Sequence, residues 1–392
     1  MSAKIKIPKS KLKMTNQISN CQSESAEGGR RFSNLKFLIL LFVFCCLLFV
    51  GSCRDKPTPP DVDDKPKPGK RNYIWSIDSV YYGSQPSKIQ IEQMWGSSAV
   101  DIWGVAGDAP DVRDCLWHYN GSSWTRATAG TPITEFTGNK TLYAIWGSAQ
   151  NDVWAFGRKI NQSVLSAFIM HFDGSKWTDA TPSNVASLST ILYNVYGVSK
   201  DNIWVGGYEY ALHYNGHNWQ GYKIADSLTI NGVSGIANAV FFQLASPWGK
   251  RDNYIYRFKY IESTFKIIDY TTSDQEKFGG KPWIVGSTLY TLTNGIISTT
   301  INDAGEIDTT GWTRIFNTSS YLTQLYVVSE KDIFTVGQYN LLYHYNGTDW
   351  KQIFISVPNH TVDPQGWFWG LWADGKEVFI CDWENGIVYH GR

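Results

Sequence analysis

Cysteine is scarce in this sequence beyond its first 53 residues. Of six cysteines, only Cys115 and Cys381 lie past that point, so a small secreted scaffold held together by disulfides is excluded. The sequence has no CxxC pair, no HExxH motif and no Walker phosphate loop. It therefore lacks the motifs that mark zinc sites, metalloproteases and nucleotide-binding sites, and we predict neither a metal nor a cofactor.

Helical periodicity and excess positive charge are also lacking. Residues 72–392 do not repeat apolar side chains at the 3.6-residue spacing of an amphipathic helix, which excludes a helical solenoid. Residues 1–53 contain eight of the 35 Lys and Arg residues and two of the 35 Asp and Glu residues, so residues 54–392 have a net charge of about −6. Without a basic face we expect no nucleic-acid partner.

The N-terminal segment has the pattern of an export signal. Residues 1–36 are polar and basic, residues 37–50 are wholly apolar, and small residues precede Cys53. Val50-Gly-Ser-Cys53 resembles the lipobox of bacterial lipoproteins, which implies a lipid on Cys53. The alternative is an uncleaved signal anchor, because an apolar run of about 17 residues is at the lower limit of a membrane span. Both alternatives place the rest of the chain outside the cytoplasm, in the cell envelope or at the cell surface.

Composition then divides the chain into three parts. Residues 1–53 are the predicted signal peptide, and residues 54–71 are rich in proline and charge and form a predicted disordered tether reaching about 50 Å. Residues 72–392 are the predicted folded domain. All 18 tryptophans lie in it, which fits a large aromatic core.

A repeat of about 46 residues runs through the folded domain. Every clear copy has an acidic residue shortly before an apolar–aromatic pair, and also a histidine. The first three open with an aromatic–glycine pair, and all but the last have an Asn-Gly or Asp-Gly pair followed by tryptophan. The aromatic residues that open the five clear copies are Trp95, Trp146, Tyr196, Tyr326 and Trp372, and two degenerate copies opening at Ser234 and Val285 lie between the third and fourth of these. Four short strands per copy at this period predict an all-β, seven-bladed β-propeller of four-stranded antiparallel blades.

The ends of the repeat array predict how the ring closes. The seventh copy ends after its third strand, and the segment around Trp75 has the pattern of the missing fourth strand. Pairing this segment with the strand at Val388 would complete the last blade. The Asn-Gly pairs predict type I′ turns between third and fourth strands.

The repeated polar residues are predicted to be structural. Five histidines occupy one position in five blades, where rotation about the axis keeps them too far apart to share a metal ion; they are His118, His171, His213, His344 and His390. We expect each to bond its own blade's turn. Asp101, Asp152, Asp201 and Asp332 are expected to cap the first turn, and no catalytic residue is assigned. Cys115 and Cys381 map to neighbouring blades, where they form either a disulfide or two buried thiols.

Irregular loops on one face are the candidate ligand-binding surface. The residues assigned to it are Asp111, Arg113, Arg158, Tyr208, Tyr210, Trp248, Arg251, Trp367, Trp383 and Glu384. Aromatic side chains beside charged groups suit stacking on a sugar or a protein hot spot. Several of these aromatics, Trp369 above all, alternatively pack between blades.

The string Trp-Gly-Ser-x-x-x-Asp-Val-Trp, followed by His-Tyr-Asn-Gly-x-x-Trp, resembles a group of exported bacterial repeat propellers. These occur as lipoproteins in Bacteroidetes-like organisms and are distantly related to Kelch and Asp-box propellers. The resemblance covers nearly all of residues 72–392 and implies a fold, not an activity.

Three functions remain open at this point. The leading hypothesis is a monomeric, membrane-tethered, non-enzymatic binding or scaffold module for a glycan or protein. The second is a glycan-processing hydrolase or lyase with its acids among Asp108, Asp111, Asp114, Asp252 and Glu384, which would need two carboxylates about 5–10 Å apart. The third is a structural envelope component with a flat partner surface.

Overall fold

Twenty-eight β-strands form seven four-stranded antiparallel sheets in the part of the chain that the structure describes. The structure is a computed structural model, and it describes residues 68–79, 90–107, 115–127, 139–246, 252–272 and 278–392. Each sheet is one blade of a seven-bladed β-propeller, which confirms the predicted fold.

The strands of the seven blades have the following bounds. Blade 1 consists of β2 (Gln93–Ser98), β3 (Asp101–Val105), β4 (Leu116–Tyr119) and β5 (Trp124–Arg126), and blade 2 of β6 (Asn139–Ala149), β7 (Asp152–Asn161), β8 (Val164–Phe172) and β9 (Trp177–Asp179). Blade 3 consists of β10 (Leu192–Ser199), β11 (Asn202–Gly207), β12 (Tyr210–Tyr214) and β13 (Trp219–Lys223), and blade 4 of β14 (Thr229–Ile236), β15 (Ala239–Ala245), β16 (Asn253–Lys259) and β17 (Thr264–Thr271). Blade 5 consists of β18 (Trp283–Val285), β19 (Thr288–Thr293), β20 (Gly295–Thr300) and β21 (Thr313–Asn317), and blade 6 of β22 (Leu322–Ser329), β23 (Asp332–Gly337), β24 (Leu341–Tyr345) and β25 (Trp350–Gln352). Blade 7 consists of β26 (Phe368–Ala373), β27 (Val378–Asp382), β28 (Ile387–Gly391) and β1 (Trp75–Ser79), and a short helix α1 (Ser183–Ala186) links blades 2 and 3.

A strand from the start of the domain completes the last blade. β1 pairs with β28 in antiparallel register, with Trp75 opposite Gly391 and Asp78 opposite Val388. This confirms the predicted closure. The pairing gives blade 7 its fourth strand and fastens the two ends of the ring together.

The alternating strand directions give the propeller two distinct faces. The loop face carries the connections between second and third strands and those between blades, and the turn face carries the other two sets of connections. The segment before β1 lies on the turn face, where the Gly69 N–H donates to the Lys331 carbonyl at 3.1 Å and Arg71 pairs with Asp349 at 2.6 Å. Residues 68–71, which composition assigns to the tether, therefore already contact blade 6.

Buried side chains form clusters between neighbouring blades. Trp117, Trp177 and Trp204 are among the largest side chains that are fully buried in the described residues. Burying one large apolar side chain contributes roughly 1.5–3 kcal/mol. The tryptophan-rich composition thus supplies the interfaces that hold the blades together.

At three junctions a tryptophan ring of one blade rests on a glycine of the next. The Trp95 ring lies over Gly147, where an added Cβ would be 2.6 Å from Cη2, and the Trp146 ring lies over Gly197, where it would be 2.1 Å from Cζ2. The Trp372 ring makes the same contact across the seam between blades 7 and 1. Glycine is required because the indole of one blade rests directly on the backbone of the next.

The sequence correctly locates the turns between third and fourth strands, but the predicted type I′ conformation is wrong. Four residues join β4 to β5, and Asn120 Oδ1 accepts the N–H groups of Ser122 and Ser123 at 3.0 and 3.1 Å. Gly121 has a φ of +90°, whereas Asn120 does not have a positive φ. A type I′ turn would need positive φ at both residues. The asparagine therefore acts through its side chain, as an Asx turn.

Candidate functional site

The five repeated histidines bond the start of the second strand in their own blades, which confirms the structural interpretation. The pairs and their nitrogen–oxygen distances are His118–Asp101 (2.6 Å), His171–Asp152 (2.8 Å), His213–Asn202 (3.0 Å), His344–Asp332 (2.7 Å) and His390–Glu377 (2.6 Å). Each ring also stacks on an aromatic side chain of the second strand, as His171 does on Trp154 with centroids 3.9 Å apart. Within the described ranges, no group of three or more His, Cys, Asp or Glu residues could hold a metal ion.

The repeated acids accept from side chains, whereas the sequence predicted that they cap backbone amides. Asp101 accepts from His118 and from the Ser97 hydroxyl at 2.5 Å. Burial alone would raise the pKa of Asp101, but the hydrogen bonds from His118 and Ser97 outweigh it, and the pKa lies below its usual value. Asn120 caps amides of a different turn, the one between the third and fourth strands.

Blade 3 departs from this pattern. Asn202, not the predicted Asp201, occupies the repeated position, and it faces His213 at 3.0 Å. Asp201 instead pairs with Lys200 in solvent. Because the amide brings no negative charge, burial lowers the pKa of His213 to about 4. This histidine is therefore neutral at physiological pH.

The two domain cysteines are buried thiols and do not form the disulfide that remained open from the sequence. Cys381 belongs to the cluster between blades 7 and 1, and Cys115 to the cluster between blades 1 and 2. Burial raises the pKa of the Cys381 thiol. Such thiols are poor nucleophiles, since the thiolate is the reactive form.

The predicted lipid site Cys53 lies outside the described residues, and so do four residues of the predicted surface: Asp111, Arg113, Trp248 and Arg251. No helix in the described ranges is long and apolar enough to cross a membrane.

Arg158 lies where the second and third strands of blade 2 extend on the loop face. Its guanidinium is 5.9 Å from the centroid of the Tyr143 ring, which in turn is 5.3 Å from that of Tyr193 in blade 3. The hairpin turns at Gln162 and Ser163, both with positive φ. Arg158 thus has an aromatic neighbour, but no other predicted site residue contacts it in the described ranges.

Tyr208 and Tyr210 flank a turn that holds the connection between blades 3 and 4. Glu209, between them, accepts the Ser227 N–H at 2.7 Å and pairs with Lys223 at 3.2 Å. The two tyrosines are half-buried. This part of the predicted surface mainly supports the loop architecture.

Five aromatic side chains form an exposed group on the loop face of blades 6 and 7, here called the aromatic patch: Tyr321, Tyr339, Trp367, Trp369 and Trp383. Trp367 lies at its centre, with its ring 6.0 Å from that of Tyr321 and its carbonyl accepting the Trp383 N–H at 2.9 Å. Tyr321 and Tyr339 are 60% and 47% exposed, and the three tryptophans are partly exposed. The structure thus brings the predicted Trp367, Trp383 and neighbouring Glu384 together.

A buried carboxylate fixes the backbone beneath the aromatic patch. Asp382 Oδ2 accepts from the side-chain amides of Asn340 and Asn385 at 3.2 and 3.0 Å, and Asn340 also donates to the Asp363 carbonyl at 2.9 Å. Tyr339 has a φ of +63°, which is uncommon for an aromatic residue. The network holds this turn so that Tyr339 projects from the surface.

A cavity of about 350 Å³ lies on the propeller axis, lined by the first strands of all seven blades. Its wall is largely aromatic and aliphatic, and Lys281 enters it from blade 5. Lys281 was not predicted from the sequence, which aligned Val285 with the first aromatic residue of the other copies. The register shows that Trp283 has this position, because it lies opposite Tyr290 as Trp95 lies opposite Trp103 in blade 1.

The acids proposed for a glycan-processing enzyme are not brought together where they are described. Asp108, Asp111 and Asp114 lie outside the described residues. Asp252 precedes the third strand of blade 4, and Glu384 follows the second strand of blade 7. Two other blades, 5 and 6, separate these two along the chain.

The sequence matches no protein-family model, and comparison with curated proteins finds no significant match. Solved structures do resemble the fold. "YCF48 bound to D1 peptide" is 14% identical with a TM-score of 0.56, over 86% of this chain and 99% of that one. YCF48 from Cyanidioschyzon merolae is 12% identical with a TM-score of 0.55, over 81% of this chain and 98% of that one.

A bacterial structure is similar over part of its length. The extracellular domain of a putative hybrid two component system from B. thetaiotaomicron is 10% identical with a TM-score of 0.54, over 81% of this chain and 42% of that one. At these identities the likenesses establish the propeller fold.

Proposed function

We propose that this protein is an extracytoplasmic, lipid-anchored propeller that binds a protein partner through the aromatic patch, as a binding or scaffold module and not as an enzyme. The exposed, rigidly supported patch around Trp367 is the observation that carries the proposal. Trp and Tyr are the residues most enriched in binding hot spots, where one side chain contributes about 2 kcal/mol or more. A surface fixed before binding also loses less conformational entropy on association.

The chemistry beside the patch favours a protein over a glycan. Sugar recognition needs polar side chains with hydrogen-bonding capacity to spare for hydroxyl groups. Here the side-chain NH2 groups of Asn340 and Asn385 donate hydrogen bonds to Asp382, and that of Asn340 also donates to the Asp363 carbonyl. What the patch offers is mainly apolar ring surface.

The placement of the patch is consistent with membrane tethering. Residues 69–71 enter the propeller on the turn face, against Lys331 and Asp349. The aromatic patch lies on the opposite face from these residues. A lipid on Cys53 would hold the protein in the envelope while leaving this face accessible.

The structural neighbours agree with this function without identifying the partner. One is YCF48 bound to a peptide, and another is an extracellular domain. Propellers of this fold thus include one that binds a peptide and one that lies outside the cell.

Site-specific photo-crosslinking in intact cells tests the proposal. The full chain would carry p-benzoylphenylalanine at Tyr339, with Tyr270, 62% exposed on the outer strand of blade 4, as the matched control. We expect a discrete protein adduct at Tyr339, none at Tyr270, and loss of the adduct in Trp367→Ala and Trp383→Ala variants that keep the wild-type circular dichroism spectrum. Absence of a Trp367-dependent protein adduct overturns the proposal, and Trp367-dependent binding to purified polysaccharides would assign the patch to a glycan.

A further inference from the structure

The axial cavity holds a cation in an otherwise uncharged wall. Among the described residues that line it, Lys281 alone carries a charge. The rest of the wall includes the rings of Trp95, Trp146, Trp283 and Tyr326. A volume of about 350 Å³ is within the range of small-molecule sites.

Spacing along the chain places Lys281, two residues before β18, at the level of three amide residues in other blades, here called the polar ring. Gln93, Asn194 and Gln324 each precede by two residues the channel residue of their blade, as Lys281 precedes Trp283. In blade 4 this level is occupied by Gly232, whose missing side chain leaves room for the Lys281 backbone, since a Cβ there would lie 2.5 Å from the Lys281 Cα.

The amides of this ring already have partners. Gln93 donates to the Tyr193 carbonyl at 3.1 Å, and Gln324 donates to the Glu92 carbonyl at 3.2 Å. Asn194 likewise donates to a backbone carbonyl of blade 4 at 3.1 Å. These bonds link different blades and hold the three amide side chains in place.

Lys281 differs from its neighbours in lacking an acceptor. In the part of the chain that the structure describes, no carboxylate, carbonyl or hydroxyl pairs with its ammonium group, which lies 5.7 Å from the centroid of the Trp283 ring. Burial lowers the pKa of Lys281 to about 8. Lys281 is partly exposed to the cavity, so a ligand carrying negative charge could pair with its ammonium group there while displacing water from the aromatic wall.

We propose that the axial cavity binds a small organic carboxylate, with the carboxylate paired to Lys281 and the apolar part of the ligand against the tryptophan rings. One lysine neutralises one negative charge. A phosphate dianion would leave charge uncompensated among aromatic side chains, so the single cation selects a monoanion. This site is distinct from the aromatic patch, and its occupancy does not depend on the proposed protein partner.

Isothermal titration calorimetry of the full chain with benzoate, octanoate and indole-3-acetate tests this site. We expect at least one of these acids to bind, and benzamide, as the neutral analogue of benzoate, to bind at least about tenfold more weakly than benzoate. Lys281→Met should lose about tenfold or more in affinity, whereas Lys176→Met, at an exposed turn lysine of blade 2, should bind as the wild type does. Thermal unfolding of both variants checks that they are folded.

Proton linkage gives a second readout that needs no variant. Because the pKa of Lys281 is about 8, part of the population is neutral at that pH, and carboxylate binding must take up protons from the buffer. The observed binding enthalpy should therefore vary with the ionisation enthalpy of the buffer near pH 8, and affinity should fall as pH rises further. Undetectable binding of all three acids at millimolar concentration, equal affinity in Lys281→Met, or absence of proton uptake would each overturn the proposal.

Discussion

Replacing Gly197 with alanine tests the packing that joins successive blades. The new Cβ would lie 2.1 Å from Cζ2 and 2.2 Å from Cε2 of Trp146, far inside the contact distance of about 3.5–4.0 Å between carbon atoms. Gly197 does not have a positive φ, so alanine is compatible with the backbone and the steric clash accounts for the effect. We expect the free energy of unfolding to fall by about 1–3 kcal/mol, the usual cost of overpacking.

Urea unfolding of the purified protein, followed by far-ultraviolet circular dichroism, measures this change. Gly147→Ala should cost less than Gly197→Ala, because its Cβ would lie 2.6 Å from the Trp95 ring. A double-mutant cycle identifies the cause: in a Trp146→Leu background the cost of Gly197→Ala should shrink by about 1 kcal/mol or more. Equal costs in the two backgrounds would refute the contact as the reason for the glycine.

Three further outcomes are expected. Asn202→Asp should raise the pKa of His213 above about 4, which NMR titration of the imidazole would measure. Because the folded-state pKa lies below the unfolded value of about 6.5, His213 lowers the stability of the wild type as pH falls from about 6.5 towards 4. The variant should lose less stability over that interval. Asn215→Ala should lower the free energy of unfolding by about 0.5–1 kcal/mol, because its side chain accepts two backbone N–H groups at 3.0 and 2.8 Å, whereas the exposed Lys176→Ala should leave it unchanged in the same urea assay. Cys53→Ser should abolish incorporation of labelled fatty acid and release the protein from the membrane fraction, and retention of the label would exclude Cys53 as the lipid site.

The architecture was predictable because it depends on short-range patterns repeated many times. Each copy carries its own strands and turn signals, so agreement among clear copies fixes the period even where two copies have degenerated. The closing strand at Trp75 followed from counting strands in the last copy. Histidine placement followed from symmetry alone, whereas the bond from each histidine to the residue at the start of the second strand, Asn202 in blade 3, was not predicted.

The features that sequence reasoning missed arise from contacts between blades. The role of Gly197 depends on an indole about 50 residues away, one repeat period earlier. Lys281 lies in a copy without the consensus aromatic–glycine pair, and the anchor at Val285 hid its position two residues before the channel residue Trp283. In a linear sequence such a lysine cannot be distinguished from a solvated one.

The route by which the chain enters the ring determines how the domain responds to force on its N-terminal side. β1 begins at the turn face, and the segment before it is bound to blade 6 by the ion pair between Arg71 and Asp349. A force directed away from the turn face would first act on this ion pair and then along the length of β1. The five residue pairs that join β1 to β28 would then bear the load together, in shear, and would not peel apart one after another. The strand that closes the ring thus also resists force applied to the N-terminal side of the domain.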